Sequence, residues 1–219
     1  MNLGSVNPYF LTALVILAIA ATVQYYLGMK RNRFLASSIS RGAEEALKPR
    51  STNYVNIGGA IGHNFAYAMP AGPWTSAKGT MTLTPRQSLL YMPLSKLIVG
   101  GDRFYINLFT KRKLRGEGHI VEAGQLRRAK IDGIEAMERR EAEAGGRRFV
   151  LLWRGAELSK ELGAILDAMP DPARLRHFCA YADNKTFFLH TNPIGGNVKD
   201  DLAALLPRLE AFFEGKGEA

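Results

Sequence analysis

The sequence predicts an α+β protein with one N-terminal transmembrane helix, followed by an antiparallel-β-rich domain that carries two amphipathic helices. Three observations support this fold class. Residues 1–29 contain no charged side chain, most segments after Ser51 alternate apolar and polar residues, and two later stretches have apolar residues at helical spacing. The 219 residues suffice for one sizeable domain and an accessory segment.

The run from Tyr9 to Met29 is predicted to be the transmembrane helix, within an N-terminal segment of residues 1–29. Its 21 residues would form ~31 Å of helix, about the thickness of a bilayer's hydrocarbon core. Aromatic and basic residues at its end mark the membrane interface: Tyr25, Tyr26, Lys30, Arg31 and Arg33. Because the basic residues follow the run, the N-terminus is expected outside and the C-terminal bulk in the cytoplasm, at the cell's inner membrane.

Two other readings of this run fit less well. A cleaved signal peptide has a positive region before its apolar core, and none is present here. A buried core helix would explain the apolar run but not the basic collar behind it. Small residues on the run, with one amide, would let a partner membrane helix approach closely: Ala13, Ala18, Ala20, Ala21 and Gln24.

Residues 30–50 are predicted to form a basic juxtamembrane helix that Pro49 ends. Six basic and two acidic residues give it a net charge of +4. One apolar stripe recurs every four residues: Leu35, Ile39, Ala43 and Leu47. The stripe is expected to lie on the membrane surface, on a partner or on the chain's own domain.

Residues 51–219 are predicted to form one cytoplasmic α+β domain. Alternation predicts strands over 54–57, 64–69, 80–84 and 88–92, and a hairpin of 96–99 with 103–109 around Gly100 and Gly101. Residues 119–146 are ambiguous between helix and hairpin, and a hairpin of 129–139 with 147–153 is favoured. Its turn would lie at Gly145 and Gly146.

The C-terminal part is predicted to contain a helix, a hairpin and a last helix. The first helix has apolar residues from Leu158 to Met169 and ends at Pro170. The hairpin pairs 174–182 with 186–191. The last helix is expected to start after an N-cap at Asn197 and to be divided by Pro207.

The stretch GTMTLTPRQSLLYMP, residues 79–93, resembles two consecutive strands of GRAM and pleckstrin-homology-like domains. It has a glycine, alternating apolar residues, a threonine before the turn and an aliphatic-aromatic return strand. Prokaryotic single-span membrane proteins with such a domain have a similar layout. The resemblance implies a binding or scaffolding role, although a hairpin and a helix after residue 170 depart from the pattern.

The charge distribution argues against a uniform nucleic-acid-binding surface. Residues 1–130 carry a net charge of +12 and residues 131–219 a net charge of −3, which suits a front half that faces something anionic. The basic loop at residues 111–115 would bind lipid, an acidic partner or nothing, and nucleic acid is not expected. One cysteine, Cys179, excludes an intramolecular disulfide.

One group of residues offers chemistry. His177 and Cys179 share a face of their predicted strand, and a two-residue turn would pair Cys179 with His190. Three such side chains are a metal or nucleophile site only if further ligands or a base join them. The sequence therefore favours a non-catalytic membrane protein without a cofactor, acting as an accessory or scaffolding subunit of a membrane assembly or as a membrane-surface adaptor. Its expected partners are lipids and a membrane protein, and the alternative is a membrane-anchored enzyme with its site at this hairpin.

Overall fold

The computed structural model describes residues 8–215, and it confirms the α+β class: one long apolar helix, a nine-stranded antiparallel sheet and shorter helices. The long helix is α1, Pro8–Leu47, and the shorter ones are α2, Tyr91–Val99, α3, Ser159–Ala168, and α4, Lys199–Leu205. The strands are β1 Ser51–Asn56, β2 Gly62–Ala68, β3 Trp74–Thr82, β4 Arg103–Thr110, β5 Glu117–Glu122, β6 Glu138–Ala144, β7 Arg147–Arg154, β8 Leu175–Tyr181 and β9 Thr186–Thr191. Residues 1–7 of the predicted N-terminal segment and 216–219 of the predicted domain lie outside the described residues.

The helix α1 is unbroken over 40 residues, so the apolar run and the juxtamembrane helix form one element. It ends at Leu47, just before Pro49, as predicted. The apolar stripe from Leu35 to Leu47 is buried on the chain's own domain, where α1 packs against α4. The second half of α1 is therefore part of the domain core, while the first half projects from the domain.

The strand order is β1-β2-β3-β4-β9-β8-β5-β7-β6, with every neighbouring pair antiparallel. One face of the sheet carries the main core and is covered by the second half of α1 together with α3 and α4. In β4 the alternation is regular, with Phe104, Ile106 and Leu108 facing this core. Tyr105 and Asn107 face the opposite side, which is called the open face below.

The predicted strand 88–92 and the first arm of the predicted hairpin, 96–99, are wrong, because residues 91–99 form α2. The Ser88 hydroxyl accepts a hydrogen bond from the Tyr91 amide at 3.2 Å and begins the first turn. Gly100 has φ of 83° and ends the helix in the left-handed conformation that glycine tolerates. The glycine pair that resembles a hairpin turn is thus a helix terminus. The second arm, 103–109, lies in β4 as expected.

The predicted partner of the 147–153 strand, residues 129–139, is also wrong. Strand β7 pairs with β6 over 138–144, and the turn places Ala144 opposite Arg147 with positive φ at Gly145 and Gly146. Residues 123–137 instead form two short 3-10 turns, because Gly133 takes φ of 67° and interrupts any strand. This segment crosses the open face and packs on Val150 and Leu152. Strand β5, Glu117–Glu122, was not foreseen.

The C-terminal elements α3, β8, β9 and α4 confirm the predicted helix, hairpin and last helix, and α4 ends before Pro207. The N-cap is Val198 rather than Asn197, one residue later than predicted. A buried ion pair joins the start of β8 to α4: Arg174 Nη2 donates to Asp201 Oδ1 at 2.6 Å. This pair fixes α4 against the sheet.

Candidate functional site

The helix α1 is joined to the domain by a polar contact at the point where it leaves the domain. Gln24 donates its side-chain amide to the Arg86 carbonyl at 2.5 Å, and the Asn32 amide donates to the Thr84 carbonyl at 2.9 Å. Between them, Gly28 lies so close to the Arg86 backbone that a Cβ atom would be 2.2 Å from its carbonyl carbon. Only glycine allows this approach.

The loop that receives α1 is itself held by an ion pair. The Arg86 guanidinium forms two hydrogen bonds to the Asp102 carboxylate, at 2.9 and 2.7 Å, and a third to the Asn32 side-chain oxygen at 3.0 Å. Asp102 also accepts from the Thr84 amide at 2.8 Å. The contacts in the segment from Thr84 to Asp102 thus fix the position of α1 along its axis relative to the domain.

The helix α2 lies beside this junction. Unlike an ordinary surface helix, it turns its large apolar side chains away from the domain. Ser95 is buried and Met92 contacts Gln24, with 3.9 Å between the Met92 sulfur and the Gln24 amide nitrogen. The large apolar side chains point outward: Leu90, Tyr91, Leu94, Leu97 and Ile98, of which Leu90 is 81% and Leu97 85% exposed. Exposed apolar patches of this kind mark surfaces that meet a membrane or another protein.

Among the described residues, α1 is the helix that is long and apolar enough to cross a membrane, and none of its most apolar 18-residue window is buried. The predicted interface residues Tyr25, Tyr26, Lys30, Arg31 and Arg33 are all exposed on α1. Of the predicted partner-helix surface, Ala13, Ala18 and Ala20 are exposed and Ala21 is half-buried. Gln24 is already hydrogen-bonded within the chain.

A cavity of about 750 Å³ occupies the open face at the end of the sheet nearest to α2. Its floor is formed by β4, β9 and β8, where the Tyr105 and His190 rings stack with 4.3 Å between their centroids and Phe188 lies alongside. One wall is the C-terminal end of α2, at Leu97 and Ile98. The other wall is the 3-10 turn at residues 123–128.

The cavity lining is strongly basic. Its charged side chains are Arg103, Arg128, Arg147, Arg176 and Glu122. Arg147 and Arg176 each form an ion pair with one oxygen of Glu122, so that Arg128, Arg147 and Arg176 together outweigh its single negative charge. The Nε2 atom of His190 is buried and has no hydrogen-bond partner among the described residues. A basic site with an unsatisfied buried nitrogen is suited to an anion.

The histidine and cysteine side chains do meet, but not as predicted. His177 lies opposite His190, and Cys179 lies opposite Phe188, because two extra residues in the turn shift the pairing. Cys179 faces His119 on β5, a contact that the sequence pattern does not predict, and the Cys179 sulfur is 3.7 Å from His119 Nε2. The predicted group of His177, Cys179 and His190 is therefore replaced by one centred on His119.

This second group forms a buried hydrogen-bond chain. The Glu117 carboxylate can only accept, so His119 Nε2 donates to it at 2.9 Å. His119 Nδ1 then accepts from His177 Nε2 at 3.1 Å. The atoms of Glu117, His119 and Cys179 that could coordinate a metal ion all lie within 4.8 Å of one another. However, Arg154 also binds Glu117, and a cation beside that guanidinium would be repelled.

Cys179 is not arranged as a nucleophile. It is fully buried, and burial raises the pKa of its thiol well above the ordinary value. Catalytic thiols instead have lowered pKa values and some exposure. The chain of side chains is therefore better suited to holding β5 and β8 together than to reacting.

Acidification should destabilise the domain through His177 and His190. Burial lowers the pKa of His177 to about 3 and that of His190 to about 4, against an unfolded value near 6.5. Between the folded and unfolded pKa values the unfolded state binds more protons than the folded state. The free energy of unfolding therefore decreases as the pH is lowered, by up to about 1.4 kcal/mol per pH unit for each histidine. Thermal melting of the full-length protein in detergent should show His177→Gln losing less stability than wild type between pH 6.5 and 5.

The control for this measurement is His63→Gln, on β2 outside the cavity, which should keep the wild-type dependence. The pH dependence of each variant must be compared with that of wild type, because a second group titrates in the same range. Burial raises the pKa of Asp201 to about 6, and this carboxyl group changes the stability with pH in the opposite direction. An identical pH dependence for wild type and His177→Gln would contradict the assignment of buried neutral histidines.

The basic loop 111–115 is largely used within the domain. Arg112 forms an ion pair with Glu210 and lies over the Phe213 ring, 4.0 Å from its centroid. Arg115 Nη1 lies 2.8 Å from Glu161 Oε1. The Arg112 contact holds the 3-10 segment after α4 against the sheet, and the Arg115 contact joins the loop to α3.

No model of a known protein family matches the sequence, and no significant match is found among curated proteins. The resemblance of residues 79–93 to GRAM and pleckstrin-homology-like domains thus stays a prediction. In the structure these residues comprise the end of β3, a loop and the start of α2.

Proposed function

We propose that this protein is a single-pass membrane-surface adaptor, with its N-terminus outside the inner membrane and its sheet domain on the cytoplasmic side. The observation that carries this proposal is the position of α2, whose apolar side chains point outward beside the end of the apolar half of α1. Such an arrangement is costly in water and favourable at the boundary of a bilayer.

The depth of the domain follows from the junction on α1. Gln24 forms a hydrogen bond to the domain, and Gly28 and Asn32 are buried against it, so the membrane-spanning part ends in the turn between Gln24 and Gly28. Residues 8–27 would form about 30 Å of helix, enough for the hydrocarbon core. Gln24 is in the last turn of this span and touches Met92 of α2. The outer face of α2 is therefore level with the headgroups and the outermost acyl carbons.

The charges near the junction favour the same orientation. Lys30, Arg31 and Arg33 follow the span and are exposed. Basic residues on the cytoplasmic side set the orientation of single spans, and each contributes about 1 kcal/mol near an anionic leaflet. A domain held by both a span and a surface helix presents one fixed face to the cytoplasm, as an adaptor requires.

Two alternatives use the same features differently. An accessory subunit would place a partner's helix on Ala13, Ala18 and Ala20, and a partner's surface on α2. A membrane-anchored enzyme would use the Glu117, His119 and His177 chain to move protons. The buried Cys179 and the paired Glu117 favour the adaptor over the enzyme.

A spin label at position 94 should report lipid. We expect that a Leu94→Cys label in a Cys179→Ala protein, reconstituted into vesicles, collides more with oxygen than with a water-soluble nickel chelate. Oxygen concentrates in lipid and the chelate in water, so this ratio measures depth. The matched control is Asp183→Cys, in the exposed turn at the opposite end of β9, where the chelate should dominate.

The other outcomes separate the alternatives. A label at 94 as accessible to the chelate as the label at 183 would show that α2 faces water and would overturn the proposal. A label shielded from both reagents would indicate a protein surface on α2 and would favour the accessory subunit.

A further inference from the structure

We infer that the basic cavity on the open face binds the phosphate group of a phosphate ester, whose organic part lies on the aromatic floor. This inference goes beyond the adaptor function and does not depend on it. A soluble compound or a lipid headgroup offers the same chemistry, and the cavity is open to both.

The charge of the cavity calls for more than one negative charge. Glu122 neutralises only part of the charge of the arginines that line the site. Three of the five N–H donors of Arg176 are already used, because Nη1 binds Glu122 and the Nη2 and Nε atoms donate to the Asn192 amide oxygen at 2.9 and 3.2 Å, with that amide turned to accept. Arg147 and Arg128 are more exposed and retain donors for a ligand. A phosphate accepts several such bonds at once, and guanidinium groups match its geometry.

His190 adds a donor at the floor. Its Nε2 atom is buried without a partner among the described residues, and such atoms cost free energy unless a ligand or water satisfies them. A phosphate oxygen within reach of Nε2 would accept a hydrogen bond from its N–H group. An anion there would also favour the charged imidazole and so raise the His190 pKa from about 4.

The remaining surfaces fit the organic part of an ester. Tyr105 and Phe188 line the floor with their stacked aromatic rings, and Leu97 and Ile98 form an apolar edge. An inorganic anion would leave these surfaces uncovered. Because Leu97 and Ile98 belong to α2, the apolar edge is continuous with the surface assigned to the bilayer.

The test uses full-length protein with labelled histidines in nanodiscs of phosphatidylcholine, observed by NMR at His190. In one arm glycerol 3-phosphate and inorganic phosphate are titrated in solution, and in the other phosphatidic acid replaces part of the lipid. We expect a saturable shift of the His190 signals in at least one arm. Tighter binding of glycerol 3-phosphate than of inorganic phosphate identifies a soluble ester, and a shift with phosphatidic acid alone identifies a lipid headgroup. Equal binding of the two soluble anions would contradict a role for the aromatic floor.

Matched variants separate the site from general charge attraction. Arg147→Gln and Arg128→Gln should each weaken binding at least tenfold, whereas Arg139→Gln, on the exposed face of β6, removes the same charge elsewhere and should leave binding within twofold. Arg128 is exposed, so its replacement does not endanger the fold. The inference is overturned if no saturable shift occurs in either arm, or if Arg139→Gln weakens binding as much as the cavity variants.

Discussion

Replacing Gly28 with alanine should loosen the attachment of α1 to the sheet domain. A Cβ atom at this position would be 2.2 Å from the Arg86 carbonyl carbon, and the obstacle is backbone rather than a side chain that can rotate away. We expect a cost of about 3 kcal/mol, the upper part of the usual range for overpacking. Amide hydrogen exchange of the full-length protein in nanodiscs should accelerate at least tenfold over residues 84–87.

The control is Gly163→Ala in α3, where the new Cβ meets no described atom within 4 Å. Alanine in a helix is favoured over glycine by about 0.5–1 kcal/mol, so this variant should be neutral or slightly stabilised. Both glycines are helical, and the difference between the variants therefore measures the contact alone. Equal exchange at residues 84–87 in the two variants would show that α1 is not clamped at Gly28.

Replacing Asp201 with alanine should destabilise the domain by about 3 kcal/mol, because the buried guanidinium of Arg174 loses its shorter ion pair and keeps only Asp171, whose Oδ2 atom is 3.5 Å from Nε. Arg174 is 5% exposed and Asp201 0%. Burial raises the pKa of Asp201 to about 6 against the attraction of Arg174, so the intact pair adds little net stability. Breaking it is nevertheless expensive. Thermal melting in detergent measures the loss.

Two further variants check this reasoning. Asp200→Ala, one residue earlier and exposed, should cost about 1 kcal/mol or less, since it loses only a contact near the helix start. The double change Arg174→Met with Asp201→Leu should recover most of the stability, because apolar side chains replace a buried pair without leaving a charge. A double variant no more stable than Asp201→Ala would assign the loss to packing rather than to the unpaired charge.

Local pattern was sufficient to predict the long helix and the C-terminal elements. The Leu35–Leu47 stripe and the Leu158–Met169 spacing each specify one helix face, and the short turn before Thr186 leaves a hairpin as the simple solution. The errors fall where the pattern is not local. Residues 91–99 contain side chains that favour strands at a spacing that fits a helix. Their outward-facing apolar side chains are explained only by the neighbouring helix α1.

The cavity could not be predicted because its residues are far apart in sequence. Arg103, Glu122, Arg147 and Arg176 lie on β4, β5, β7 and β8, and only the strand order brings them together. His119 escaped notice for the same reason, since β5 was not foreseen and its partner on β8, Cys179, is 60 residues further along. The one signal in the sequence was His177 and His190 on adjacent strands, and its register was misjudged by two residues.

In the membrane placement proposed above, the continuous helix α1 would make the domain responsive to the thickness of the bilayer. A span tilts when the surrounding lipid becomes thinner than its apolar length. Since no kink separates Pro8–Leu27 from the half of α1 that is embedded in the core, the sheet must rotate through the same angle as the span. Rotation in one direction presses α2 into the leaflet and rotation in the other lifts it out, which changes how far the mouth of the cavity stands from the lipid. Thick and thin membranes would thus hold the domain at different tilt angles relative to the membrane plane.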